Sequence, residues 1–97
     1  MEDEARIPVK IEELFGYKTR LRLVKLLMKH NELTKAQMIK KAKLNHSTVT
    51  AHLEYFKKIN FVQEKRVGRV SIFRYKIETE RAKKFKDFVE FFETRMQ

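Results

Sequence analysis

The sequence predicts a mostly helical α+β domain, and three observations support this prediction. Apolar residues recur at helical spacing over most of the chain, whereas residues 62–77 change to the two-residue alternation of strands. The 97 residues, 42% of them hydrophobic, suffice for one modest core. No apolar run approaches the roughly 18 residues of a membrane-spanning helix. We therefore expect one folded domain that does not cross a membrane.

The first third of the chain predicts a tail, two helices and a short strand. Residues 1–9 are acidic at the start and are expected to form a flexible tail. Residues 11–15 can form one helical turn that Gly16 ends. The helix expected over residues 18–29 is apolar around more than half of its circumference, so it needs neighbours on two sides. Residues 32–33 predict a short edge strand.

Residues 34–59 have the pattern of two helices joined by a tight turn. Thr34 and Gln37 form a capping box, in which the hydroxyl and the amide each bond to the other residue's backbone, so the first of these helices should occupy residues 35–42. Residues 43–44 turn the chain, and Asn45 can cap the next helix.

The helix expected over residues 46–59 combines a small polar start with an apolar stripe. Val49, Leu53 and Phe56 supply the stripe at spacings of four and three. Small hydroxyl-bearing residues before the stripe allow the start of a helix to approach a DNA groove closely.

The remaining sequence predicts a hairpin and a terminal helix. Two alternating segments flank a turn at residues 67–69, and Arg66 and Arg69 lie at the tip of this hairpin. The terminal helix, from residue 78 or 79 to 95, has an apolar seam at spacings of three and four, which favours dimer packing. The residues assigned to dimerisation are Phe85, Phe88, Val89, Phe92 and Met96.

The charge of the chain indicates a polyanionic partner. The formal net charge is +10, and residues 1–5 hold three of the thirteen acids and none of the bases. Nucleic acid is the polyanion that best suits a basic chain with a helix-turn-helix pattern.

Several functional classes are not expected. The chain has no cysteine, and His30, His46 and His52 have no metal-ligand spacing, so we expect neither a bound metal nor a cofactor. No nucleophile–base pair or phosphate-binding glycine loop indicates an enzyme. The acidic start does not resemble a signal peptide, which favours a cytoplasmic, nucleoid-associated protein.

The order of elements resembles the winged helix-turn-helix domain of ArsR/MarR-like transcriptional regulators. The resemblance extends over about residues 14–82, and its carriers are residues 17–27, 33–39, 44–53 and 62–69, the last followed by 73–75. It implies a homodimer on double-stranded DNA, with residues 10–77 as the DNA-binding domain and 78–97 as a dimerisation helix. It also implies recognition helices in the major groove and wings on the backbone or minor groove. Metal-sensing members use cysteines, or histidines on the terminal helix, which this chain lacks.

The resemblance assigns the groove-facing positions to the start of the third helix. His46 can donate to a base or phosphate, Ser47 can bond to either, Thr50 offers a hydroxyl and a methyl group, and Ala51 allows close approach. The remaining predicted contacts differ in kind. Thr48 braces the helix start, Tyr55 faces outward toward a phosphate, and the cations Lys35, Lys43, Arg66 and Arg69 bind backbone phosphates. His52 is expected to be partly buried and hydrogen-bonded.

Three functions remain open from the sequence. The first is a sequence-preferring regulator, in particular a repressor. The second is a chromatin-like architectural protein, because no groove-facing position is Arg or Asn, the side chains that discriminate guanine and adenine best. The third is a protein-interaction module, in which the winged helix docks a partner such as a polymerase subunit; the large apolar terminal helix supports this alternative.

Overall fold

The computed structural model describes residues 7–94 and has the predicted order of elements. The helices and strands, in chain order, are α1 (Ile11–Phe15), α2 (Lys18–His30), β1 (Glu32–Thr34), α3 (Lys35–Ala42), α4 (His46–Lys58), β2 (Val62–Val67), β3 (Val70–Tyr75) and α5 (Glu80–Thr94). This is a mostly helical winged helix-turn-helix, as predicted from the sequence.

The strands within the described residues form an antiparallel sheet in the order β1-β3-β2. β3 is central, pairing Phe73 with Leu33 of β1 and with Glu64 of β2. β2 and β3 continue beyond β1 to the pair Val67–Val70. The outer part of the β2–β3 hairpin therefore projects as a two-stranded wing, with β2 at one edge of the sheet.

Local hydrogen bonds fix the helix-turn-helix. The Thr34–Gln37 capping box is confirmed, because the Gln37 backbone N–H donates to the Thr34 hydroxyl at 3.1 Å and the Thr34 N–H donates to the Gln37 side chain at 2.9 Å. Lys43 adopts a left-handed conformation with φ 56°, and its N–H bonds to the Ile39 carbonyl. This conformation ends α3 and turns the chain toward α4. Asn45 caps α4 by accepting the Thr48 N–H at 2.8 Å.

The core lies beneath α4 and joins every layer of the domain. The predicted stripe of α4 is at most 1% exposed, and it shares the core with α2, α3, the sheet and the start of α5. The largest fully buried side chains of the core are Phe56, Phe73, Leu23, Leu27, Met38, Leu53, Ile59, Val24 and Val49. Burial of this stripe holds α4 against the rest of the domain, because each large apolar side chain contributes about 1.5–3 kcal/mol.

The first half of α5 belongs to the same core. Ala82 is fully buried, and the Tyr75 hydroxyl, at the end of β3, donates to its carbonyl at 2.7 Å. The Phe85 ring lies 5.7 Å from those of Phe15 and Phe61. The assignment of Phe85 to dimerisation was therefore wrong, because α1 and Phe61 cover this residue inside one chain.

Removal of the Tyr75 hydroxyl should destabilise the domain. Burial raises the pKa of Tyr75, so the phenol stays protonated and can donate to Ala82. We expect Tyr75→Phe to lower the free energy of unfolding by about 1–2 kcal/mol. Thermal unfolding followed by circular dichroism at equal protein concentration measures the effect. Tyr17→Phe, at an exposed position, is the matched control, and an equal midpoint for both variants would contradict the assignment.

Candidate nucleic-acid interface

The start of α4 presents a small, exposed polar edge. His46, Ser47 and Ala51 are all exposed. The Ser47 hydroxyl donates to the Asn45 side-chain oxygen at 3.0 Å, which leaves its lone pairs free to accept a further bond. Thr48 is half-buried, and its N–H bonds to the Asn45 cap, in keeping with the bracing role expected for it.

Thr50 differs from its predicted orientation. The residue is half-buried, and its hydroxyl oxygen is buried with no hydrogen-bond partner among the described residues. A β-branched side chain directs its two γ atoms to different sides of the Cα–Cβ axis, so one can turn inward while the other does not. The hydroxyl expected to bond to DNA is therefore not accessible, and solvent reaches only the rest of the residue.

Tyr55 does not face outward as predicted. It is half-buried, and its hydroxyl is buried without a partner among the described residues. The guanidinium carbon of Arg20 lies 3.8 Å from the centroid of its ring. Burial raises the pKa of Tyr55, against a smaller opposing effect of Arg20. Tyr55 therefore packs toward α2 and is excluded from the predicted phosphate contacts.

The wing tip is the most exposed part of the sheet. Arg66 and Arg69 are exposed, and Gly68 between them has φ 62°. A type II′ hairpin turn requires a positive φ at this first loop position, which glycine adopts without steric cost. Val67 and Val70, which pair across the hairpin, are 56% and 47% exposed. The tip therefore combines two cations with an apolar pair that was not expected at the interface from the sequence.

An ion pair connects α4 to the base of the wing. The Lys57 ammonium, near the end of α4, lies 2.8 Å from the Glu64 carboxylate on β2 and 3.4 Å from that of Glu54. The hydrogen bond from Lys57 holds the pKa of Glu64 below its usual range. The pair therefore keeps its charge as the pH falls past the ordinary pKa of a glutamate, and α4 stays fixed relative to β2.

The two lysines predicted to contact DNA differ in their exposure. Lys43 is exposed in the turn before α4, whereas Lys35 is half-buried at the first residue of α3. The exposed cations Lys40 and Lys41 lie in the last turn of α3. Lys43 is therefore the more exposed residue of the two predicted lysines.

A family model supports the helix-turn-helix assignment. The model for bacterial regulatory proteins of the arsR family matches residues 17–64, from the residue before α2 to the first half of β2. Residues 17–64 form an ArsR-family domain. No curated protein matches the sequence significantly.

Solved structures of similar fold cover most of the chain. HlyU from Vibrio cholerae N16961 has a TM-score of 0.76 and 16% identity over 97% of this chain and 99% of its own. The transcriptional repressor PagR of Bacillus anthracis has a TM-score of 0.66 and 23% identity over 79% of this chain and 85% of its own. The homodimeric winged helix-turn-helix DNA-binding domain of Mb0332 from Mycobacterium bovis has a TM-score of 0.67 and 20% identity over 81% of this chain and 70% of its own. These similarities establish the fold of the ArsR-family domain.

An aromatic surface lies on α1 and α5, outside the residues that the family model matches. Phe88 is 47% exposed and Phe92 is 55% exposed, with their ring centroids 4.8 Å apart. Phe15 on α1, 39% exposed, lies 6.4 Å from Phe88. Val89 is half-buried against the core, and Met96 lies outside the described residues. We call Phe15, Phe88, Phe91 and Phe92 the aromatic face.

Arg20 is the functional candidate whose place was least apparent from the sequence. Its side chain extends from α2 and contacts His52 and Tyr55 on α4. The confirmed burial of His52, 5% exposed, depends on this contact and on Thr19. The i, i+3 spacing of His52 and Tyr55 was the available sign of a shared partner, because it places both side chains on one face of α4.

Neither a metal cluster nor a membrane-spanning helix occurs in the part of the chain that the structure describes. Across residues 7–94, no three His, Asp or Glu side chains cluster in a way that could hold a metal ion. Over the same range, no helix has the length and hydropathy needed to cross a bilayer.

Proposed function

We propose that this chain is a homodimeric transcriptional regulator, acting as a repressor, that binds double-stranded DNA. α4 enters the major groove, and the wing binds the backbone or the minor groove of the flanking DNA. The observation that carries this proposal is the exposed edge of His46, Ser47 and Ala51 on a capped helix that an ion pair joins to an arginine-tipped wing. The formal charge of +10 suits the partner.

The exposed side chains suggest a division of roles within the major groove. His46 and Ser47 can hydrogen-bond to base edges or phosphates, and Ala51 lets the helix approach closely. Thr50 contributes only the part of its surface that excludes the hydroxyl oxygen, which suits apolar contact better than hydrogen bonding. His46, Ser47 and Ala51 therefore form the proposed base-reading edge.

The cations have a positional role. Arg66 and Arg69 at the wing tip contact phosphates or a narrow minor groove, where arginine is favoured. Lys43 contacts the phosphate backbone beside the start of α4, and Lys35 provides a weaker, half-buried contribution. These contacts set the affinity and the register of the protein on DNA, whereas the edge of α4 provides sequence preference.

The aromatic face provides the proposed homodimer contact. Exposed phenylalanines that touch one another on two helices form an apolar surface that a second copy can cover. In this arrangement residues 10–77 bind DNA and residues 78–97 supply the dimerisation helix. A two-fold dimer places its recognition helices about 34–36 Å apart, in successive major grooves. Such a dimer on a promoter excludes polymerase, and the protein would reside on the nucleoid.

One observation favours a second function. The exposed edge of α4 has no Arg, Asn or Gln, the side chains that form bidentate contacts with guanine or adenine. A chromatin-like architectural protein, which coats DNA with little sequence preference, needs only the cations of the wing and of the turn before α4. The two functions differ in the ratio of specific to non-specific affinity.

Selection of genomic fragments followed by fluorescence anisotropy tests the proposal. We expect an enriched palindromic site to bind at least about 10³-fold more tightly than random DNA at physiological salt. Replacing His46 and Ser47 together with alanine should weaken binding to that site by about 1 kcal/mol or more and leave random DNA nearly unaffected. Lys84→Ala, on the exposed face of α5, is the matched surface control.

The outcomes separate the candidate functions. Equal affinities for enriched and random fragments would favour the architectural protein over the regulator. A chain that binds no DNA at low salt would exclude both and would favour a protein-interaction module.

A further inference from the structure

A polar cluster connects α4 to α2 within the domain. His52, on α4, is 5% exposed, and both of its ring nitrogens have partners on α2. Its Nε2 lies 2.7 Å from the Thr19 hydroxyl, and its Nδ1 accepts the Nε–H of Arg20 at 3.2 Å. This histidine is therefore a buried polar link between the proposed recognition helix and the helix behind it.

The contact with Arg20 defines the protonation state of His52. A guanidinium N–H can only donate, so Nδ1 must be the unprotonated, accepting nitrogen. The ring proton then lies on Nε2, from which it can be donated to the Thr19 hydroxyl. The geometry thus belongs to the neutral ring.

Arg20 holds α4 at a second point. Its guanidinium carbon lies 3.8 Å from the ring centroid of Tyr55, one helical turn after His52, and 4.6 Å from that of Tyr17. It also donates to the Glu13 carbonyl on α1 at 2.5 Å. One side chain therefore braces α4 against both α1 and α2.

Protonation of His52 opposes this arrangement. A second ring proton would place an N–H on Nδ1, facing the Nε–H of Arg20, with two positive charges in contact. Arg20 would have to withdraw, and its stacking on Tyr55 depends on the same guanidinium position. Protonation would therefore break both contacts of Arg20 with α4, the hydrogen bond to His52 and the stacking on Tyr55.

We propose that Arg20 and His52 are positioning residues for DNA binding, and that protonation of His52 releases α4 and weakens the complex. This inference rests on the proposed function, because it requires α4 to be the DNA-binding helix. Interfacial groups must be held within about 0.5 Å of their binding geometry, so release of α4 is costly. The added charge on His52 cannot compensate, because the ring is buried and has no path to a phosphate.

The surroundings of His52 support the sign of the effect. Burial first, and Arg20 second, hold the pKa of His52 below its ordinary value of 6.5. The groups that face the cluster are Arg20 and Thr19 from α2, Tyr17 before it, Tyr55 on α4 and the Glu13 carboxylate on α1, which acts on Tyr55. As the pH falls below 6.5, the unfolded chain takes up the proton first, so acidification through this window destabilises the braced state.

Simple electrostatic attraction predicts the opposite dependence. A positive charge gained at the DNA-binding surface on acidification would strengthen binding to phosphates. The sign of the change in affinity with pH therefore separates release of α4 from simple electrostatic attraction.

The test is the DNA dissociation constant from about pH 7.5 to about pH 5.0 at fixed ionic strength. For the wild-type homodimer we expect affinity to fall with acidification, by at most about tenfold per pH unit for each linked proton. His52→Asn retains an acceptor for Arg20 but does not titrate, so its affinity should stay constant or rise.

Arg20→Lys distinguishes positioning from direct phosphate contact. Lysine keeps the charge but cannot donate to His52, bond to Glu13 and stack on two rings at once. We expect weaker DNA binding at neutral pH, an unchanged salt dependence and loss of the acid weakening. An unchanged affinity for this variant would overturn the assignment of Arg20.

Two measurements keep the proposal testable if a variant folds poorly. Circular dichroism at each pH establishes which variants are folded, and nuclear magnetic resonance of the wild type follows the His52 ring protons directly. Titration of the ring should coincide with shifts of the Tyr55 amide, and independent behaviour would overturn the proposal. Wild-type protein that fails to bind DNA at neutral pH refutes the proposed function. Wild-type protein that binds DNA with the pH dependence of His52→Asn refutes only this inference.

Discussion

Replacing Arg66 and Arg69 together with alanine is expected to weaken DNA binding by roughly 100-fold or more near physiological salt. The homodimer would lose four cations from its two wing tips, and a charge-assisted contact contributes about 1 kcal/mol or more. Both arginines are exposed at the turn that Gly68 makes possible, so neither supports the core. The reduction should be similar for the preferred site and for random DNA, because phosphate contacts carry little sequence information.

The salt dependence provides the diagnostic measurement for the wing. The slope of log affinity against log salt should decrease in magnitude by about 0.9 for each phosphate that the protein no longer neutralises. Lys83→Ala with Lys84→Ala removes the same charge from the exposed face of α5 and should leave that slope unchanged. If the wing variant retained the wild-type slope, the arginines would not be phosphate contacts.

Replacing Phe88 and Phe92 together with serine is expected to convert the proposed homodimer to a folded monomer. Both side chains are about half exposed and lie outside the buried core of the single chain. Their removal should therefore weaken association between two copies without opening the domain. Analytical ultracentrifugation measures the mass, and circular dichroism verifies that the helices remain.

The same variant should lose most of its affinity for a two-half-site operator. Linking two DNA-binding units raises affinity by about 10²–10⁴-fold over a single unit, and this gain disappears in a monomer. Val67→Ser is the matched control, since Val67 is equally exposed but lies on the wing, and this variant should remain dimeric. Phe85→Ser should instead unfold the chain, because Phe85 is 9% exposed and packs on Phe15 and Phe61. A double variant that sedimented as a dimer would exclude the aromatic face as the contact.

The sequence predicted the features that depend on short-range chemistry. The Thr34–Gln37 capping box, the Asn45 cap and the apolar stripe of α4 are set by residues within a few positions of one another. The change to two-residue alternation identified the wing, and Gly68 identified its turn. The burial of His52 also followed from its position beside Val49 and Leu53.

The errors arose where contacts between distant segments decide the outcome. Phe85 lies on the apolar seam of α5 and Phe88 lies beside it, but Phe85 is buried in the core whereas Phe88 is 47% exposed. Helical spacing identifies the seam but not how far α1 and Phe61 cover it. Tyr55 was misplaced because the long side chain of Arg20 reaches across from α2, which no local pattern encodes. The accessibility of the Thr50 hydroxyl depends on a single side-chain rotamer, which helical periodicity does not determine.

The position of β2 in the sheet has a consequence for protein that accumulates at high density. β2 pairs with β3 on one side, and within residues 7–94 no strand pairs with its other side, along which Glu64, Lys65 and Arg66 occur in succession. Charged edge strands resist pairing with strands of other molecules, which is the usual start of aggregation. β1, the strand at the opposite edge, spans only Glu32–Thr34 and offers a short template. Neighbouring copies at high concentration therefore have little tendency to fuse into intermolecular sheets.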